Sequence, residues 1–238
     1  MRVHFIQHVD FEGPAELLNW AEERSYSVTI SKMQNRDLFP EIDDFDMLIV
    51  MGGPMSVADS GKYPWLIREK EFIRRAINQD KIVVGICLGA QLIADVLDGT
   101  VRKNRYKEIG WFPVKKSYFI GENKVFQEIE KEPLFFHWHG ESFDIPKKAK
   151  RIFKSQACKN QAFQFGNKVF GFQFHFEMNE ESIKALVKNC SEELIDDKYV
   201  QPDVNSLLNR ENIAKSNELM KIIMDNIVKN KRDINSMI

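Results

Sequence analysis

A single cysteine stands where a buried strand turns into a helix. The segment from Lys81 to Gln91 reads Lys-Ile-Val-Val-Gly-Ile-Cys-Leu-Gly-Ala-Gln, an apolar run followed by a turn around Cys87. Gly85 and Gly89 permit a sharp strand-to-helix turn that exposes the central side chain, as in a nucleophile elbow. At a helix N-terminus the free N–H groups and the helix dipole favour the reactive thiolate. A buried structural cysteine is an equal alternative from this turn alone.

A second candidate group lies on a strictly alternating segment, Gly171-Phe-Gln-Phe-His-Phe-Glu177. Because successive strand side chains point to opposite faces, His175 and Glu177 share one face while the phenylalanines face a core. The carboxylate can hold the imidazole in one tautomer, and the imidazole can take a proton from a thiol and return it to a leaving group. Seen alone, a structural histidine is the more common outcome. Together with Cys87, the pair predicts a catalytic triad.

A third segment is an apolar strand, residues 45–51, that runs into Gly52-Gly53-Pro54. Two glycines before a proline predict a rigid loop whose backbone N–H groups can point outward. Such a loop could supply one donor of an oxyanion hole, with the N–H of Leu88 supplying the other. An ordinary strand-ending turn is the alternative when this segment is considered alone.

Taken in order, Gly-Gly-Pro-Met-Ser-Val, Gly-Ile-Cys-Leu-Gly-Ala-Gln and Gln-Phe-His-Phe-Glu resemble the three signatures of class I, triad-type, glutamine amidotransferase domains. The likeness is to stand-alone proteins related to the glutaminase domain of GMP synthase. It covers roughly the first 190 residues, where Lys107-Glu-Ile-Gly-Trp111 and His139-Gly-Glu-Ser-Phe143 are also in the family's style.

The resemblance implies a role for several residues. Cys87 would be the nucleophile, His175 the general base and acid, and Glu177 the carboxylate that orients the imidazole. Five further residues fall on positions that form the oxyanion hole or contact the substrate: Gly53 and Leu88 for the oxyanion, and Gln91, Gly140 and Glu141 for the substrate.

Two features of the sequence bear on this resemblance. Phe176 stands where the family usually has proline, but it faces away from the triad on the strand, so we expect the chemistry to survive. The chain order Cys87, His175, Glu177 differs from that of α/β-hydrolases, in which the acid precedes the histidine. Local signatures of caspases and papain are absent. A non-hydrolytic sensor or chaperone on a similar fold is disfavoured by the adjacent histidine and glutamate.

Bulk properties agree with an intracellular enzyme. The 238 residues suffice for one well-packed α/β domain with a small addition. Lysine plus arginine number 34 and aspartate plus glutamate 35, so no overall charge indicates nucleic acid or a membrane surface as partner. We expect neither a signal peptide nor a membrane span. Three cysteines form no disulfide framework, and a free catalytic thiol suits a reducing compartment, which predicts a cytoplasmic location. No cofactor is implied.

Strands and helices alternate through the first hundred residues. This pattern predicts an α/β fold, a doubly wound and mostly parallel sheet with helices on both faces. The resemblance implies the flavodoxin-like form of this fold that class I amidotransferases have. Strands are predicted at 3–7, 27–31, 46–51 and 82–86, and helices at 14–24, 65–79 and 88–97. Cys87 then lies at the carboxyl end of a strand, where open α/β sheets bind their ligands.

The pattern changes beyond Gly110 to shorter strands and turns, including an antiparallel hairpin at Gly166-Asn167 between 161–165 and 168–176. A helix near 180–190 follows, and then a helix-period stretch over 213–228. We therefore predict an amidotransferase domain over residues 1–192 and a C-terminal helical appendage over residues 193–238. One apolar stripe favours packing of that helix against the domain.

A histidine-rich stretch, His137-Trp-His139-Gly-Glu141, could in principle bind zinc, because these three side chains would share one face of a strand. It lacks further ligands and resembles the stretch that lines the glutamine pocket in this family, so we predict no metal. Three charged residues are candidates for the pocket mouth, with a solvated loop as an equal alternative: Arg105, Lys107 and Glu108.

These motifs predict hydrolysis of a γ-carboxamide through a γ-glutamyl thioester. The chain has no pyrophosphatase loop, no P-loop and no room for a fused synthetase, so an ammonia acceptor would lie on a separate synthetase subunit. Three functions remain open: a glutaminase or amidotransferase acting on L-glutamine, a self-sufficient hydrolase of γ-glutamyl peptides or amides, and a catalytically silent binding module. The intact triad makes the last the least favoured.

Overall fold

The computed structural model describes residues 1–117 and 123–235. Ten strands form within these residues, in chain order Arg2–Gln7 (β1), Ser27–Lys32 (β2), Met47–Val50 (β3), Ile82–Ile86 (β4), Val101–Pro113 (β5), Lys115–Lys116 (β6), Leu134–Phe143 (β7), Ala149–Lys154 (β8), Ala162–Phe165 (β9) and Val169–Phe172 (β10). Eight of them make one sheet in the order β2-β1-β3-β4-β10-β9-β8-β6. The first five strands in that order are parallel, and β9, β8 and β6 continue the sheet antiparallel.

Helices cover both faces of this sheet. Those in the described residues are Glu16–Glu23 (α1), Trp65–Asn78 (α2), Leu88–Val96 (α3), Glu180–Cys190 (α4), Val204–Leu207 (α5) and Arg210–Asn235 (α6). On one face, Trp20 of α1 and Met220 of α6 pack in a core with Phe5. On the other, Phe72 of α2 and Leu92 of α3 pack in a second core. The predicted doubly wound α/β fold is confirmed.

The parallel strands are short apolar runs with both faces buried, which is why the sequence shows them clearly. The strand predicted at 82–86 has those bounds in β4, and the other three differ from the structure by one residue at one end or both. The three helices predicted in this half are present as α1, α2 and α3, each shorter at one end or both. Such differences are the usual fraying of element ends.

The predicted hairpin is present, with Phe165 of β9 opposite Val169 of β10 and Gly166 at φ +57°. Its second strand is shorter than predicted, however, because β10 ends at Phe172. Beyond that point the chain leaves the sheet, and His175 instead forms an isolated bridge with Phe136 of β7. The alternating pattern therefore predicted side-chain direction correctly and the sheet partner incorrectly.

The expectation of shorter strands beyond Gly110 is wrong for β7, and the long strand β5, most of which precedes Gly110, was not predicted. The strand β5 is 13 residues long and pairs with the 10-residue β7 in a separate antiparallel ribbon. The first half of β5 is largely exposed and charged, so the sequence there is typical of a loop. Its register shifts between Lys103 and Glu108, which also breaks the alternation.

The C-terminal helix α6 packs on the main sheet rather than standing apart. Leu219, Ile223 and Ile227 are buried in the same core as α1. Asp225 of α6 accepts hydrogen bonds from Trp20 Nε1 at 3.0 Å and from the Arg24 guanidinium, Nη2 at 2.6 Å. The expected packing of this helix is present. The division of the chain at residue 192 remains a prediction.

Candidate active site

Cys87 sits between β4 and α3 in a strained backbone conformation. Its φ of 50° and ψ of −108° place a non-glycine residue in a region that costs free energy and that clusters at functional sites. The Cys87 N–H donates to Phe172 O at 2.8 Å, so β10 holds the turn. A Cβ at Gly85 or at Gly89 would overlap neighbouring backbone atoms, which explains both glycines of the elbow. The thiol thus lies at the N-terminus of α3, as predicted.

The thiol is 7% exposed and has two polar neighbours. It lies 3.8 Å from Trp138 O, to which it can donate, and Gln173 Nε2 donates to Sγ over 3.6 Å. Gln173 in turn accepts from Gln91 Nε2 at 3.2 Å. Burial raises the pKa of the Cys87 thiol, and the neighbouring His175 counteracts part of that rise. Protonation of His175 therefore favours the thiolate.

His175 and Glu177 form a buried pair, as predicted. The distance from His175 Nδ1 to Glu177 Oε1 is 2.7 Å, and each residue is 1% exposed. Burial alone would lower the pKa of His175, but Glu177 and Cys87 outweigh it, so this pKa lies well above its ordinary value. His175 Nε2 has no hydrogen-bond partner among the described residues. The second nitrogen is thus left for the thiol or a substrate.

Phe176 contributes to this pair through its backbone. Its N–H donates to Glu177 Oε2 at 3.0 Å, a hydrogen bond that a proline at this position could not make. Its ring is fully buried against Phe172, with centroids 4.8 Å apart, and so faces away from the imidazole. Phe176 therefore supplies the carboxylate with a donor that a proline would lack.

Long-range contacts hold the segment from His175 to Glu177 in place. His175 N–H donates to Phe136 O at 2.8 Å, and Glu177 O accepts from Glu16 N–H at 3.0 Å. From α6, Asn217 Nδ2 donates to Phe176 O and to Met178 O, each at 3.0 Å. Both faces of the segment are buried.

A cavity of about 540 Å³ opens onto the thiol. Four of the predicted site residues line it beside Cys87, namely Gly53, Gln91, Gly140 and Glu141. Glu141 accepts a hydrogen bond from Ser56 Oγ at 3.1 Å. Arg105 and Lys107, two of the three candidates for the mouth, also line the cavity. Glu108 does not, because it is only 1% exposed and lies among other side chains.

Leu88, the first residue of α3, is buried against the Gly52-Gly53 loop. A Cβ at Gly53 would lie 3.0 Å from Leu88 Cδ2, so the loop and the start of the helix are in close contact. Both proposed oxyanion donors thus come from backbone that borders the nucleophile. The structure brings them together, and their role stays a prediction.

Glu12 is a site residue that the sequence analysis missed. It follows β1, is 8% exposed and lines the cavity. A Cβ at Gly52 would overlap Glu12 Oε2 and lie 3.2 Å from His175 Cε1, so the carboxylate and the imidazole meet at this glycine. Burial raises the pKa of Glu12 to about 7, although His175 and His8 oppose the shift. Its position after a parallel strand, where ligands bind, was the available signal.

The two histidines of the His-Trp-His stretch lie beside Glu108 on the neighbouring strand of the ribbon, and Glu141 lines the cavity, as predicted for a substrate contact. Glu108 Oε2 lies 3.4 Å from His139 Nε2 and 3.8 Å from His137 Nδ1, close enough to surround a cation. The same oxygen accepts from Gln161 Nε2 at 2.6 Å and from Ser155 Oγ at 3.0 Å. Burial would raise the Glu108 pKa, but these partners together lower it to about 2. The absence of a metal from this cluster stays a prediction.

The chain belongs to the family described as glutamine amidotransferase class-I, whose sequence model matches residues 9–193. It is related to stand-alone members of that family and to subunits of glutamine-hydrolyzing GMP synthases. Of these, the glutamine amidotransferase-like protein YfeJ of Salmonella typhimurium is 34% identical over 200 residues, 82% of this chain and 84% of that protein.

Two further relatives extend the comparison. One subunit of the glutamine-hydrolyzing GMP synthase of Sulfolobus acidocaldarius is 31% identical over 161 residues, 63% of this chain and 79% of that protein. The crystal structure of a glutamine amidotransferase from Thermotoga maritima superposes with a TM-score of 0.87 at 29% identity, covering 96% of this chain and 98% of that one. Among the described residues of this chain, none of the helices has the length and apolar character to cross a bilayer.

Proposed function

We propose that this chain hydrolyses the side-chain amide of L-glutamine to glutamate and ammonia through a γ-glutamyl thioester on Cys87. The observation that carries the proposal is the His175–Glu177 pair beside the elbow thiol. Glu177 occupies Nδ1 at 2.7 Å, and Nε2 has no other partner in the described chain. One nitrogen is thus oriented and the other is free to move a proton.

The reaction begins with transfer of the thiol proton to His175 Nε2. The Cys87 thiolate attacks the γ-carbonyl carbon, and the resulting tetrahedral intermediate breaks its C–N bond when His175 returns the proton to the departing nitrogen. Ammonia leaves and the thioester remains. Water, deprotonated by His175, then attacks the thioester carbon, and glutamate is released as the thiol is restored. No cofactor enters these steps.

Backbone N–H groups of Gly53 and Leu88 would stabilise the oxyanion of both tetrahedral intermediates. Both groups border the nucleophile, and Leu88 is the first residue of α3, where N–H groups have no helical partner. Loss of one such donor typically lowers kcat by roughly two to three orders of magnitude. Gln91, Gly140 and Glu141 line the cavity and are the proposed contacts of the amino-acid portion of the substrate.

A second candidate is hydrolysis of γ-glutamyl peptides or amides by the same triad. The cavity has room for such substrates, because about 540 Å³ lies within the range of small-molecule sites. The two functions differ only in what occupies the space beyond the scissile nitrogen. A catalytically silent binding module is least favoured, because it would give no purpose to the strained cysteine and the buried pair.

In the glutaminase alternative, ammonia would pass to a separate synthetase subunit. The relationship to subunits of GMP synthases supports such a partner. We further propose that residues 1–192 form the catalytic unit with 193–238 as its appendage, and that the protein acts in the cytoplasm. Neither nucleic acid nor membrane is proposed as a partner.

Glutamate release from L-glutamine and from a panel of γ-glutamyl peptides tests these alternatives, with Cys87→Ala as the control. Turnover confined to glutamine supports an amidotransferase, and rapid peptide turnover with weak glutamine use supports the hydrolase. Absence of turnover, together with no labelling of Cys87 by an electrophilic glutamine analogue, would leave only the binding module.

A further inference from the structure

A buried ion pair that takes no part in the proposed reaction lies against the Gly52-Gly53 loop. His8 Nε2 is 2.8 Å from Glu69 Oε1, and both side chains are fully buried. Trp65 stacks on the His8 ring with centroids 5.6 Å apart. Such a pair costs desolvation free energy and is weak evidence for stability. Stability alone therefore does not account for its position beside the loop.

The other ring nitrogen of His8 forms a hydrogen bond with one backbone carbonyl. His8 Nδ1 is 2.8 Å from Gly52 O, inside the protein and away from solvent. Burial by itself lowers the pKa of His8, yet Glu69 and the Gly52 carbonyl outweigh it and the pKa is raised. A protonated His8 donates from both nitrogens, one to Glu69 and one to Gly52.

The carbonyl of Gly52 and the N–H of Gly53 belong to one peptide group. In a planar trans peptide these two bonds point in opposite directions, and no cis peptide occurs in the described residues. Fixing Gly52 O toward His8 therefore turns the Gly53 N–H to the opposite side. Gly53 lines the cavity that contains Cys87.

No Cβ atom restricts rotation of this peptide from either side. It is the one Gly-Gly pair in the sequence, and glycine on both sides removes the Cβ atoms that normally restrict the flanking dihedral angles. A rotated peptide would present the Gly52 carbonyl oxygen where a negatively charged oxygen must be stabilised. A Cβ at either position would crowd neighbouring side chains, so glycine fits both positions and a hydrogen bond has to fix the orientation of the peptide.

We propose that His8 and Glu69 are positioning residues that lock the Gly52-Gly53 peptide with its N–H directed at the oxyanion. Glu69 orients the imidazole from α2, and His8 carries that orientation to the carbonyl. The inference rests on the proposed function, since it gives the Gly53 N–H the role of an oxyanion donor. It adds two residues that touch neither substrate nor nucleophile.

The test compares two reactions of the same thiol. Hydrolysis of L-glutamine forms an oxyanion, whereas alkylation of Cys87 by iodoacetamide displaces iodide and forms none. His8→Leu should lower kcat for glutamine, or for the γ-glutamyl peptide that the enzyme prefers, by roughly 100- to 1,000-fold. The rate at which iodoacetamide alkylates Cys87 in His8→Leu should change less than about threefold, after subtraction of the alkylation seen in Cys87→Ala. The KM for the hydrolysed substrate should change little.

Two variants serve as matched controls. His8→Asn keeps an amide N–H close to the position of Nδ1, so it should restore turnover to within about tenfold of the native enzyme. His4→Leu removes another buried imidazole, one in β1, the strand that His8 follows; it lies 2.8 Å from Thr29 Oγ1 and not against the loop. This substitution should lower the free energy of unfolding, and any change in rate should be similar for hydrolysis and for alkylation of Cys87. Glu69→Leu replaces His8→Leu if the latter does not fold.

Equal losses in hydrolysis and alkylation, or full turnover by His8→Leu, would overturn the proposal. A crystal structure of the variant provides a readout that does not depend on activity. We expect the Gly52-Gly53 peptide to be rotated or present in two orientations, and an unchanged peptide would contradict the lock. If the native enzyme showed no turnover, the proposed function would be refuted. The orientation of the Gly52-Gly53 peptide in the crystal structure of the variant would still test whether His8 locks it.

Discussion

The two halves of the candidate triad are held in place by different means. Cys87 is placed mainly by a strand on one side and a helix on the other, with Gly85 and Gly89 allowing the turn and one hydrogen bond to Phe172 of β10 holding it. His175 and Glu177 lie outside any regular strand of the sheet. They are held by hydrogen bonds from residues as distant as Glu16 and Asn217.

This difference predicts which substitutions the site should tolerate and which should impair its function. The elbow depends on backbone strain that local packing maintains, so only a change in that packing should disturb it. The histidine segment depends on several separate contacts, each of modest strength, and should lose function gradually as they are removed. Substitutions in each half can separate these two behaviours, and the largest effect is expected at the carboxylate of the triad.

Glu177→Gln should lower kcat by roughly two to four orders of magnitude, with a smaller effect on KM. The amide cannot hold the imidazole tautomer or stabilise the imidazolium, so the His175 pKa should fall because Glu177 is the main cause that raises it. Steady-state kinetics and an NMR titration of His175 measure both. The exposed Glu181→Gln should leave both unchanged, and an unaffected rate in Glu177→Gln would show that our triad assignment is wrong.

Gly89→Ala should disrupt the elbow itself. The added Cβ would overlap the backbone carbonyl of Val50 in β3, which cannot move without shifting the sheet. We expect a loss of about 1–3 kcal/mol in the free energy of unfolding and at least about a tenfold loss in kcat. Chemical denaturation and kinetics measure these effects. Gly61→Ala is the control, because a Cβ there would meet no atom within 4 Å; equal effects of the two changes would contradict the packing argument.

Glu12→Gln should stabilise the protein at high pH and not at low pH. The pKa of Glu12 rises from 4.5 to about 7 on folding, so its contribution to stability is present below pH 4.5 and is lost as the pH rises through 7. At pH 8 the substitution should therefore increase the free energy of unfolding by about 3 kcal/mol. Denaturation at pH 4 and pH 8 tests this, beside the exposed Glu22→Gln. If Glu12→Gln increased the free energy of unfolding equally at pH 4 and pH 8, the cost of burying the ionised Glu12 carboxylate would not be the cause.

Asn217→Ala should have the smallest of these effects and should link α6 to the chemistry. It removes both hydrogen bonds that Asn217 donates to the backbone on either side of Glu177. We expect a loss of roughly 1–2 kcal/mol in stability and a fall in kcat of about tenfold or less. Glu218→Ala, on the exposed face of the same helix, is the control. If the two variants had identical activity, α6 would be a structural support with no influence on the triad.

The structure also shows where sequence patterns were informative and where they were not. Buried parallel strands and the glycine turn gave clear signals because their causes are local. The ribbon of β5 and β7 was missed because exposed charged residues occupy the first half of β5. Glu12, His8 and Glu69 were missed for another reason: each is a polar residue whose significance comes from partners far away in the sequence.

The sequence by itself determined the fold class, the family resemblance, the elbow around Cys87 and the alternation that puts His175 and Glu177 on one side. These follow from periodicity and from the steric limits of glycine, which act over a few residues. Only the tertiary structure decided that His175 leaves the sheet for β7, that Glu108 and not Glu141 joins the two histidines, and that His8 holds Gly52. Those outcomes depend on which hydrogen bonds the buried polar groups form. Their partners lie on segments distant in sequence, which come together only in the packed structure.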